Sequence, residues 1–176
     1  FTEVPTLSMT GDVKTIEKTA NVRFGQYARS VTQRAEEYMR ETGIADKMVV
    51  GPEFEFYLFD RVRFENAPNR ASYELDTAQA EWNTGAPNGN GYQVAHHGGY
   101  HAALPQDITF DLRNEMCLKM ADWGVQIKYH HHEVGGPGQL EIEVEPESLT
   151  EMADKTMIIK YIIKNTAIRA GKTATL

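Results

Sequence analysis

Apolar residues recur along this chain with two periods, and each period predicts its own kind of element. From Val49 to Asp60 the period is two: Phe54, Phe56 and Leu58 share one face, Glu53 and Glu55 the other, with Tyr57 beyond them. The same alternation returns further on, where Leu140, Ile142 and Val144 oppose Gln139, Glu141 and Glu143. Just before it, a period of two puts Val125, Ile127, Tyr129, His131 and Glu133 on one side, and Gly135-Gly136-Pro137-Gly138 turns the two runs into a hairpin.

Helical spacing governs three other stretches. Asp12 to Glu41 is predicted helical, with an interruption near Gly25; Val31, Ala35, Tyr38 and Met39 fall on one face, and Gly43 is the stop. Asp107 to Trp123 is predicted as a helix with Asp107 as N-cap, Ile108, Leu112, Met116 and Met120 in register, and Gly124 closing it. Ser148-Leu-Thr-Glu151 is a capping box that opens a long helix to about Ala170, stopped by Gly171. Met152, Thr156, Ile159, Ile163 and Ala167 form its buried stripe, and Lys155, Lys160 and Lys164 face solvent.

The remaining segments lack periodicity. Phe1 to Thr10 contains Pro5 and reads as an extended arm, so residues 1–11 are a linker and 12–176 the domain. Arg61 to Ala86 is mixed and polar, with Arg61, Arg63 and Arg70 solvated, and Pro87-Asn88-Gly89-Asn90-Gly91 is a turn or loop. A loop and strand over Tyr92–Leu104 carry His96, His97 and His101 around Gly98-Gly99-Tyr100. The paired glycines let backbone run close to a neighbour and set where Tyr100 points; His96 and His97 read as exposed loop residues before metal ligands. The order of elements predicts an α+β domain, an antiparallel sheet with helices packed on one side.

Composition narrows the picture. The chain has 176 residues, 41% hydrophobic and 24% charged, enough for one domain with a core. A net charge of -7 without a basic stripe argues against a nucleic-acid partner, and no apolar run approaches membrane-spanning length. Cys117 is the single cysteine, which excludes an internal disulfide and makes the cytoplasm the default compartment. A start at Phe1 and an end at Lys172-Thr-Ala-Thr-Leu176 suggest a piece of a longer protein.

Candidate chemistry lies on the polar faces of the strands. A hairpin that lifts Glu133, Glu141 and His131 to one surface gathers like charges, which stay ionised only beside a cation or a basic partner. Oxygen-rich clusters suit Mg²⁺ or Mn²⁺ over zinc or copper. Glu53 and Glu55 are open to two readings, a binding site or the solvated face of an edge strand.

Two separated motifs, Gly51-Pro-Glu53-Phe-Glu55-Phe-Tyr-Leu-Phe-Asp60 and His130-His-His-Glu133-Val-Gly-Gly-Pro-Gly-Gln139-Leu-Glu141-Ile, resemble the catalytic domain of the prokaryotic type I glutamine synthetases. Gly98-Gly99-Tyr100, Asp111-Leu-Arg-Asn-Glu-Met116, Thr42-Gly-Ile-Ala-Asp46 and Lys172-Thr-Ala-Thr175 are similar to the family in the same order, so the resemblance runs from roughly Glu36 onward. It implies a partial half-barrel fold and ATP-dependent joining of ammonia to L-glutamate through a γ-glutamyl phosphate. It implies Glu55, Glu133 and Glu141 as ligands of a first Mg²⁺ or Mn²⁺, and Glu53 as a ligand of a second that holds the ATP phosphates. His131 is matched to the phosphoryl and substrate contact, Tyr100 and Glu133 to the groups that hold ammonium, and Gln139 and Gly138 to the glutamate-binding segment. Lys128 departs from the pattern, standing where many members carry a glutamate near the nucleotide. The family's remaining metal ligands and substrate arginines lie past Leu176, which implies that the stretch alone is inactive. Without the half-barrel's later strands it is expected to expose an unpaired edge and apolar helix faces and to self-associate or be partly disordered. The resemblance implies a homo-oligomeric (dodecameric) parent. Three rivals stand beside this: a glutamate–amine ligase of the same superfamily, a cupin-type metal barrel built on Tyr100, His101 and 130–133, and a non-catalytic metal-binding module.

Overall fold

The structure is a computed structural model that describes residues 1–17, 20–85 and 91–176. The loop expected at Pro87-Asn88-Gly89-Asn90 lies outside the described residues. In chain order the elements are β1 (Lys14–Glu17), β2 (Ala20–Arg23), α1 (Ala28–Glu41), β3 (Val49–Val50), β4 (Glu53–Phe59), β5 (Arg61–Ala67) and β6 (Arg70–Asp76). After a 3₁₀ turn at Glu81–Asn83 come α2 (Phe110–Asp122), β7 (Ile127–His132), β8 (Gln139–Val144), β9 (Glu147–Ser148), α3 (Leu149–Arg169) and β10 (Thr173–Thr175). They form two compact units, one of residues 1–51 and 146–158, the other of residues 52–145 and 159–176.

The first unit departs from its sequence reading. The helix expected from Asp12 occupies only its second half, and an antiparallel β1–β2 hairpin replaces the first, pairing Thr15 with Val22 and Ile16 with Asn21. β-Branched Thr15, Ile16 and Val22 lose χ1 freedom in a helix and suit a strand. The strand expected over Val49–Asp60 is split by Gly51-Pro52: β3 pairs with β9, and Pro52 has no N–H to carry the ladder on. Arg29 of α1 pairs with Asp12 at 2.6 Å and Asp154 at 2.8 Å, and Glu36 accepts the otherwise orphaned amide of Thr150 in the first turn of α3. At the start of α3 the Ser148 hydroxyl donates to Glu151 Oε2 at 2.5 Å, and the same carboxylate accepts from the Ser148 amide, which is one half of the expected capping box. Lys155, expected in solvent, is half-buried and pairs with Glu147.

The second unit holds an antiparallel sheet in the order β10-β4-β8-β7. Its apolar face is the one the alternation predicts: Phe54, Phe56, Leu58, Leu140, Ile142 and Val144 are all buried. Met116 and Met120 of α2 and Ile159, Ile162 and Ile163 of α3 are fully buried in the same core. Each such side chain contributes roughly 1.5–3 kcal/mol through removal of apolar surface from water. Gly171 ends α3 at φ +70°, and the chain then adds β10 to the β4 edge, a strand the sequence reading did not expect.

Three further expectations are corrected here. Arg61–Asp76, read as a mixed polar stretch, is a β5–β6 hairpin, exposed over most of its length; Arg61, Arg63 and Arg70 are solvated as expected, with Arg61 and Arg70 in exposed ion pairs with Glu74 and Glu65. The strand expected within Tyr92–Leu104 reduces to an isolated bridge between Ala80 and Val94. The N-cap of α2 is Thr109, and Asp107 is buried two residues before it, accepting from the Thr109 amide and hydroxyl and pairing with Arg113 at 2.6 Å. Three α-helices among the described residues speak against a cupin barrel. None of the described helices is long and apolar enough to cross a membrane.

Candidate functional site

Strand register assembles the site. Pairing sets Glu55 of β4 opposite Glu141 of β8, and Glu141 opposite His131 of β7, so one row across three strands carries two carboxylates and an imidazole. The next row is Glu53, Glu143 and Tyr129; on the other side Tyr57 faces Gln139. The solvent-side alternation that makes each strand amphipathic thus lines up its polar residues strand by strand.

Two overlapping sets of ligand atoms result. Atoms from His131, Glu133 and Glu141 lie within 4.8 Å of one another, and so do atoms from Glu53, Glu55 and Glu141. Glu141 belongs to both, and Glu55 stands with Glu53 in the second set. His131 Nε2 is 3.3 Å from Glu141 Oε2 and its Nδ1 is 3.5 Å from Glu133 Oε2. With its Nδ1–H donated to the His132 carbonyl at 2.9 Å, the imidazole presents Nε2 to the carboxylates. Glu133 Oε1 accepts the Val134 amide at 2.7 Å, and Glu55 Oε2 accepts from Gln139 Nε2 at 3.0 Å, so both carboxylates are oriented by their neighbours. Burial pushes the Glu141 carboxyl up to about 7; the His131 imidazole opposes this, and the nearby carboxylates of Glu133 and Glu53 add to it. A carboxylate set of this kind, with one member's ionisation disfavoured by burial and by its like-charged neighbours, suits a hard divalent cation.

The other expected residues are placed as follows. Tyr100 is exposed, its ring edge-on to His131 at 5.4 Å and 4.4 Å from His101, which itself stacks on His131 at 4.4 Å. Gly99 makes the close approach read from the sequence: a Cβ there would sit 2.5 Å from the His132 ring. Gly138, at φ +85°, gives its carbonyl to the Leu58 amide at 2.8 Å, and a Cβ on it would meet the Leu58 carbonyl at 2.5 Å. Gln139 spans the turn, accepting from the Gly135 amide while donating to Glu55. His96 and His97 stack on each other and join neither ligand set.

One part of the hairpin reading is overturned. β7 carries a bulge between Ile127 and Tyr129, so Ile127 pairs with Val144 on the apolar side while Tyr129 and His131 face Glu143 and Glu141. A strict period of two cannot place all five residues on one face once an extra residue is inserted.

Sequence reasoning also missed the buried groups that hold the strand from behind. Arg113 Nε donates to His130 Nδ1 at 3.1 Å, and His130 Nε2 donates to Asn114 Oδ1 at 2.9 Å. His132 donates Nδ1–H to the Glu133 carbonyl at 3.0 Å and accepts from Gln79 Nε2 at 3.0 Å. Burial pushes both imidazoles below the usual histidine range, as neutral rings that donate once and accept once require. A signal existed: Arg113, Met116 and Met120 share helical spacing, so an arginine lies on the apolar face, and Asp107 is the nearest preceding acid.

Comparison with known proteins now adds to this geometry. The family model for the glutamine synthetase catalytic domain matches residues 26–176. The chain belongs to the glutamine synthetase catalytic-domain family. Among curated relatives, glutamine synthetase of Pasteurella multocida is 44% identical over 99% of this chain, and that of Aquifex aeolicus 41% identical over 99%. In both cases the chain spans 37% of the relative's length. A cryo-EM structure of Plasmodium falciparum glutamine synthetase superposes with a TM-score of 0.73 at 24% identity, covering 88% of this chain and 32% of that one, which shows the shared fold.

Proposed function

We propose that the protein carrying this chain ligates ammonia to L-glutamate with ATP, giving glutamine by way of γ-glutamyl phosphate, and that residues 12–176 are the first part of its catalytic domain, with residues 1–11 an arm. The observation that carries this is the convergence of Glu53, Glu55, Glu133, Glu141 and His131 on one sheet face in a chain of this family. Glu55, Glu133 and Glu141 hold one divalent cation and Glu53 a second, Mg²⁺ or Mn²⁺. Bound there, such cations draw charge from the phosphate oxygens of ATP and from the glutamate carboxylate.

The chain's own residues bind and orient. Gln139 and Gly138 border the glutamate site, where Gln139 Nε2 donates to Glu55 and orients its exposed carboxylate. His131 presents a donor or acceptor at Nε2 to the reacting carboxyl group. Tyr100 and Glu133 offer a hydroxyl and a carboxylate to ammonium, and Glu133 is the group able to accept its proton before attack. The single cysteine favours a cytoplasmic setting, and the family resemblance a homo-oligomeric parent.

The test is glutamine formation by the full-length protein with ATP, Mg²⁺ and ammonium. Glu133→Gln and His131→Ala are expected to lower turnover by about 10²–10⁴, the range for a positioned proton-transfer group. Turnover only with amines other than ammonia, or undisturbed turnover in Glu133→Gln, overturns the reading.

A further inference from the structure

Glu143 lies on the same polar sheet face as the metal-type carboxylates, directly opposite Glu53 and two residues from Glu141, yet it joins neither ligand set. The reason is visible at the β7 bulge. An extra residue between Ile127 and Tyr129 turns two consecutive side chains toward one partner, and both bind Glu143. Lys128 Nζ is 2.6 Å from Glu143 Oε1, and the Tyr129 hydroxyl is hydrogen-bonded to the same carboxylate. The Lys128 ammonium also rests 5.3 Å over the Tyr129 ring, which holds the lysine in place. Neither residue has a role in the function proposed above.

We propose that Lys128, delivered by the bulge, is an affinity-determining residue that ties Glu143 away from Glu53, its cross-strand partner, and keeps a further carboxylate of this chain from the cation assigned to Glu53. Hard cations gain affinity with each anionic oxygen that reaches them, so the number of free carboxylates on this face sets how tightly the cation is held. A lysine is suited to the task, because its ammonium is a compact charge on a flexible stem that grips one carboxylate oxygen without needing a planar partner. The chemical class of ligand is the divalent cation itself, and the inference rests on the metal reading above.

The experiment is titration of the intact protein with Mn²⁺ alone, followed by calorimetry or by the free-ion signal in electron paramagnetic resonance. Lys128→Met is expected to tighten binding of the cation assigned to Glu53 about 5- to 10-fold, and Lys128→Gln to do the same. Lys128→Met with Glu143→Gln is expected to return to the wild-type value, because the freed carboxylate is gone. If the double variant binds as tightly as Lys128→Met, the gain is only the loss of a repelling positive charge and the inference is overturned. Unchanged affinity in both single lysine variants overturns it as well. A wild-type protein that binds no Mn²⁺ sinks the metal reading itself, an outcome separate from either of these.

Discussion

Glu141 is the residue on which both ligand sets turn, and its protonation makes the site sensitive to pH. With the folded carboxyl pushed up to about 7 against an ordinary value of 4.5, a cation entering the site displaces a proton at neutral pH. Apparent Mn²⁺ affinity is therefore expected to rise by close to tenfold per pH unit below about 7 and to level off above it. The cation-free fold behaves the opposite way. A group whose folded value is raised contributes stability fully below its unfolded value, and that contribution fades as pH climbs through the folded one. The metal-free protein is thus expected to lose melting temperature between about pH 5 and pH 8, and Mn²⁺ to restore it. In Glu141→Gln both slopes should flatten; a melting curve for that variant with the wild-type pH dependence would show that another group is responsible.

Among the elements, α2 and β7 are joined by a polar network whose cost of disruption can be stated. Asp107 and Arg113 are both about 1% exposed and form two bonds, Nη1 to Oδ1 at 3.0 Å and Nη2 to Oδ2 at 2.6 Å. Burial pushes the Asp107 carboxyl up, and the Arg113 guanidinium with the Thr109 donors reverses this, leaving it below its ordinary range. Arg113→Met strands that carboxylate and takes a donor from His130, so a loss of about 3–5 kcal/mol is expected in denaturant unfolding. Asp107→Leu combined with Arg113→Met removes both charges and is expected to cost clearly less; equal losses would mean the contact's packing, not its charge, is what matters. This network also marks the limit of what the sequence made legible. The amphipathic strands β4 and β8 and the capped helix α3 could be read because one periodicity and one set of end signals agreed over each. The β1–β2 hairpin could not, since its strands bury nothing and leave no alternating apolar face to detect. The bulge in β7 escaped for a different reason: it depends on how β8 pairs with it, a long-range choice that no local period encodes. The carboxylates were found because they alternate with buried residues. Arg113 and Gln79 were missed because their partners, His130 and His132, sit 17 and 53 residues away.

At the scale of the whole molecule, burial is distributed unevenly between the two units, and local stability should follow it. In the second unit β8 is buried at four of its six positions, with Leu140 and Ile142 fully enclosed. In the first, every residue of β1 and β2 is exposed, and Ile16 shows 83% of its surface. A two-stranded hairpin with no buried face is at best marginal in water, so its amides open without waiting for the core to unfold. Hydrogen–deuterium exchange is expected to run at least about a hundredfold faster in β1 and β2 than in β8 and the second half of α3, a gap of roughly 3 kcal/mol in opening free energy. On the proposed metal reading, Mn²⁺ at the carboxylates would tie β4, β8 and the end of β7 together, so its protection should concentrate on those strands and leave β1 and β2 unchanged. Protection that instead spread evenly over both units would mean the cation stabilises through global unfolding alone, and that the chain opens as one cooperative body.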